Sequence, residues 1–77
     1  MAVADMNKDH RETIQRLFVI ATLLASEAEE AAIAGQSPKL RGRTRHHLAL
    51  KVRRNAVELK SVAESILAVT DLAGRES

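Results

Sequence analysis

Cysteine is absent from this chain, and with it disulfide bridges and thiolate metal sites are excluded. Tryptophan and tyrosine are absent too, which leaves Phe18 as the single aromatic side chain and no platform on which bases or sugars could stack. One proline and three glycines offer few places to turn. No apolar run approaches the roughly 20 residues a membrane-spanning helix needs. The segment before Ile14 carries Asp5, Asp9 and Glu12, where a secretory leader would be basic. These lacks, with a composition rich in Ala, Leu, Glu, Lys and Arg, predict an all-α cytoplasmic protein with no membrane segment and no cofactor.

What is present is organised around Leu17–Ala25, in which every residue but Thr22 is apolar. At about 100° per residue, Leu17, Phe18, Ala21, Leu24 and Ala25 share one stripe, while Val19, Ile20 and Leu23 point to the sides and the far face. A helix that is apolar nearly all round is buried nearly all round. A chain of 77 residues supplies only one helical partner of its own, so Val19, Ile20 and Leu23 are predicted to form an oligomer interface. Size argues the same way: a core this small yields only about 3–5 kcal/mol without a staple, and oligomerisation is the staple still open to it.

Along the chain, Asp5 or Asn7 is placed to cap a first helix, with Asp9 and Glu12 suiting its positive end. The stripe Ile14, Leu17, Phe18, Ala21, Leu24, Ala25, Ala28, Ala32 then runs to Gly35, expected as a left-handed stop. Ser37 and Pro38 read as cap and first residue of a second helix, with Thr44 as the alternative start. The second stripe is Leu48, Val52, Leu59, Val62, Ala63, Ile66, Val69 and Ala73, widened by Ala56 and Leu67 and ended by Gly74. Asn55 falls on it, either at its edge or as a buried polar residue that sets register. Two long helices on a short link fold back as an antiparallel hairpin. The expected architecture is therefore one domain, 1–77, with helices at about 7–34 and 38–73 and short flexible ends at 1–6 and 74–77, dimerising into a four-helix bundle.

Charge is uneven although the net value is only +2. Residues 39–60 hold eight bases and one acid, against three bases and six acids before them and one base and three acids after. Lys39, Arg41, Arg43, Arg45, Arg53 and Arg54 are thus candidate polyanion contacts, for DNA or RNA phosphates. Opposing that reading, a hairpin brings Glu27, Glu29 and Glu30 alongside the block, where surface ion pairs would take up part of it. Leu50 and Val57, one heptad apart and flanked by arginines, are either ordinary exposed residues or a patch for a protein partner.

Chemistry finds little to work with. His46 and His47 are adjacent, so they splay about 100° apart instead of sharing a face as helical metal ligands do at i and i+4. The serines have no spaced His and Asp partners, Glu58, Glu64 and Asp71 face outward, and Gly35 and Gly42 are isolated instead of forming a phosphate loop. The expectation is a non-enzymatic adaptor or regulatory protein, without catalytic or metal residues, whose partners are itself and another protein. The alternative is a dimeric nucleic-acid-binding protein.

Overall fold

The structure is a computed structural model that describes the backbone of residues 2–76 and the side chains of 9–72, 74 and 75. It holds two helices, α1 at Ala2–Gly35 and α2 at Gly42–Glu76, with no strand among the described residues. They pack on each other as a helical hairpin, a rod of 60 × 14 × 12 Å. The length follows from a rise of about 1.5 Å per residue over 34 and 35 residues.

Both helices are longer than expected. No proline or glycine interrupts 2–34 or 43–73, so nothing in either stretch stops helix propagation. The backbone of Asp5 and Asn7 accordingly lies inside α1, while their side chains, the expected caps, are outside the described residues, and the backbone of 2–6 and 74–76 is helical. Gly74 does not end α2, and Gly35, although the last residue of α1, is not left-handed: no glycine has positive φ among the described residues.

The link is 36–41, and α2 starts at Gly42, between the two expected starts. Ser37 does accept from the amide ahead, its hydroxyl lying 3.4 Å from the Lys39 nitrogen, and its carbonyl takes the Leu40 N–H at 3.4 Å. That turn closes on itself without becoming a helix. The first α-type bond of the new helix is Arg45 N–H to the Arg41 carbonyl at 3.0 Å. Residues 38–41 are used to cross the roughly 8–10 Å between two helix axes, and Leu40 is half-buried on the way.

The face of α1 turned to its neighbour is His10, Ile14, Leu17, Ala21, Leu24, Ala28, Ala31 and Gly35. The face of α2 is Leu48, Val52, Asn55, Leu59, Val62, Ile66 and Val69, with Lys51 half-buried at its edge. Both alternate spacings of three and four, the period of coiled-coil packing. Phe18, Ala25 and Ala32 therefore fall outside the buried face, Phe18 at 54% exposure, and so do Ala56, Ala63 and Leu67. The Ala73 side chain lies outside the described residues. Asn55 sits inside the seam at 3% exposure, not at its edge.

The core is thin. Ala31 is the buried apolar residue, and no large side chain is fully buried among the described residues. A rod of two helices covers one stripe per helix and leaves the rest wet. Its accessible surface is 6121 Å², against about 4,600 Å² for a monomeric globular protein of this mass. Its radius of gyration is 17.5 Å, against about 11–12 Å for a compact chain of this length.

Candidate assembly and partner surfaces

Two surfaces stand out, one on each helix. On α1, Val19, Ile20 and Leu23 are exposed at 59%, 43% and 59%. They lie off the buried face, as their phase in the helix dictates. Val19 and Ile20 line one shallow open depression with Glu12, Gln15 and Arg16. The sequence placed these three side chains away from the seam, and the structure leaves them there.

On α2, Leu50 and Val57 share a second open depression with His47, Lys51, Arg53, Arg54 and Glu58. Leu50 and Val57 lie about 180° from the seam, since Leu59, Val52 and Asn55 hold the inner face. The hairpin does not use this apolar patch, and basic side chains rim it.

The basic block is distributed over the turn and the first half of α2. Lys39 and Arg41 are on the link; Arg43, Arg45, Arg53 and Arg54 are on α2; all six are exposed. With the reversal between Gly35 and Gly42, residues whose numbers add up to about 77 stand at the same height, because both helices rise equally per residue. Glu27, Glu29 and Glu30 are therefore level with residues 47–50, inside the block. Even so, the ion pair found among the described residues is Arg75 with Asp71, 3.0 Å apart on one helix, and none joins those glutamates to the block. Arg45 is engaged differently, donating from its guanidinium to the Ser37 carbonyl at 2.9 Å.

The remaining chemistry is sparse. His46 and His47 are exposed, and no group of three or more His, Asp or Glu could hold a metal ion among the described residues. Hydroxyls turn back onto their own helices: Ser65 donates to the Ser61 carbonyl at 3.2 Å, and Thr22 to the Phe18 carbonyl at 2.9 Å. No helix is long and apolar enough to cross a membrane among the described residues.

The sequence reading missed Ile33 and Leu72, both exposed on the outer surface. Arg16 had no role in the sequence pattern and Glu27 only that of a partner for the basic block, yet the two bracket Ile20 and Leu23 at helical spacing. A period of seven residues, in place of a single stripe, is the signal that would have found them. No protein-family model, no curated protein and no solved structure matches the chain.

Proposed function

We propose that this protein is a non-enzymatic helical interaction module that acts as a homodimer, two hairpins joining into a four-helix bundle through Ile20 and Leu23, with Val19, opposite the seam, at the margin of the contact. The observation that carries the proposal is the exposure of those side chains on a rod with no large side chain fully buried among the described residues. The surface in excess of a globular monomer is about 1,500 Å² per chain, and a standard interface takes about 800 Å² from each partner. Leu50 and Val57, on the opposite side of α2 from α1, remain outside the bundle and form the patch offered to another protein, with Arg53 and Lys51 at its rim.

A second reading is favoured by the unpaired state of Lys39, Arg41, Arg43, Arg53 and Arg54 among the described residues. Five free cations along the half of the rod nearer the turn suit a phosphate backbone, and with Phe18 as the sole aromatic the contact would be to phosphates, not stacked bases. One experiment separates the two readings: sedimentation of the protein with a labelled generic duplex at low and moderate salt. A dimer that ignores the duplex supports the adaptor. A dimer that shifts it, with a log–log salt slope near −0.9 per neutralised phosphate, supports the nucleic-acid reading.

A further inference from the structure

Resting on the dimer proposed above, we infer its geometry: two copies meet antiparallel, turns at opposite ends, about a two-fold axis between Ile20 and Leu23. The charges around the exposed apolar side chains set this orientation. Arg16, Ile20, Leu23 and Glu27 follow one another at spacings of four, three and four, so they form one straight flank of α1 with a cation at one end and an anion at the other. Crossed against itself in reverse, the flank sets Ile20 on the partner's Leu23 and Arg16 on the partner's Glu27, twice over by symmetry. With the two α1 helices parallel instead, Arg16 would meet the partner's Arg16 and Glu27 the partner's Glu27, and with α1 laid on the partner's α2, Ile20 and Leu23 would meet the charged pair Glu58 and Arg54.

The same side of the hairpin includes a matching flank of α2. Two antiparallel helices present corresponding sides of their seven-residue repeats on one flank. For α2 that flank carries Lys51, Arg54, Glu58 and Ser61. The midpoint of Arg54 and Glu58 stands at the height of the midpoint of Ile20 and Leu23, both about 17 residues from the centre of the turn. The axis that pairs Arg16 with the partner's Glu27 therefore also brings Arg54 to the partner's Glu58. All four of these charged side chains are exposed, and none forms an ion pair within its own chain.

The charge of the rod as a whole agrees. Residues 21–56, the half nearer the turn, hold seven bases and three acids; the other half holds five bases and seven acids. Reversed copies lay the basic half of one on the acidic half of the other, whereas parallel copies stack like on like.

Charge reversal tests the pairing by sedimentation equilibrium. Arg16→Glu and Glu27→Arg should each weaken the dimer at least about tenfold, since each sets like charges face to face. Combined in one chain, they should restore it to within about threefold of the parent. Orientation is read separately from a spin label on Gln36→Cys, at the turn of a chain with no other cysteine. Antiparallel copies put the labels about 45 Å apart, and parallel copies put them within about 20 Å. Close labels, indifferent single reversals, or a dimer broken by Phe18→Ser on the opposite flank while both reversals are tolerated would each overturn this geometry and leave the dimer standing. A chain monomeric at every concentration overturns the dimer itself.

Discussion

The guanidinium of Arg45 donates to the carbonyl of Ser37 at 2.9 Å, tying the first turn of α2 back to the link. The same carbonyl takes the Leu40 N–H, so one acceptor organises both sides of the reversal. Arg45 thus belongs to the turn more than to any polyanion surface. Arg45→Ala should destabilise the hairpin by about 0.5–1.5 kcal/mol, and Arg43→Ala, two residues earlier, should not. Urea unfolding of both variants measures the difference; equal midpoints would mean that the bond is idle.

Asn55 is the other polar side chain placed where the structure demands something of it. It is buried in the seam with its Nδ2 atom unbonded. A buried donor without a partner costs about 1–3 kcal/mol. Asn55→Leu, which keeps the branched shape in an apolar side chain, should therefore raise the melting temperature. A register role for Asn55 would show in the same variant as a broadened transition or mixed oligomers. A lowered, sharp transition would mean that the amide stabilises the seam.

Gly35 and Gly42 frame the turn without needing to be glycine. Neither has positive φ, and a Cβ built on either meets nothing within 4 Å beyond its own stretch of backbone. Gly35→Ala and Gly42→Ala should each stabilise the fold by about 0.4–1 kcal/mol by reducing the freedom of the unfolded chain. A left-handed stop at Gly35 would reverse the sign for that residue, and thermal melts decide it.

Leu59 lies on the inner face of α2 between Asn55 and Val62. Leu59→Ala should cost about 2–5 kcal/mol, while Val57→Ala, on the opposite side of the same helix, should cost little. Near-equal losses would mean that α2 is turned about its axis.

Much of this architecture was legible in the sequence because it is written in long, uninterrupted periodic segments. Leu17, Leu24, Leu59 and Ile66 identify the two inner faces without help. The edges of those faces were not legible. A stripe drawn at 3.6 residues per turn drifts about 20° per heptad relative to the seven-residue repeat that the hairpin follows. That drift swept in Phe18, Ala25, Ala32 and Ala63 and left out Ala31. Alanine gives little guidance, because it suits a helix whether buried or exposed. The start of α2 was hidden for a related reason. Ser37 and Pro38 do carry the chemistry of a helix start, but the chain spends that turn crossing between axes, a demand set by the neighbouring helix and not by local sequence. For the surfaces, hydropathy exposed Val19, Ile20 and Leu23, while the charges flanking them acquire meaning only once the heptad phase is known.

The central claim is that this hairpin is half of a bundle, and sedimentation equilibrium of the purified chain tests it most directly, alongside Leu23→Glu. The parent protein should sediment at twice the chain mass of 8.4 kDa, and Leu23→Glu, which sets a carboxylate in the apolar contact, should be a less stable monomer. A parent protein that sediments at 8.4 kDa at all concentrations, or a Leu23→Glu dimer as stable as the parent, would contradict it.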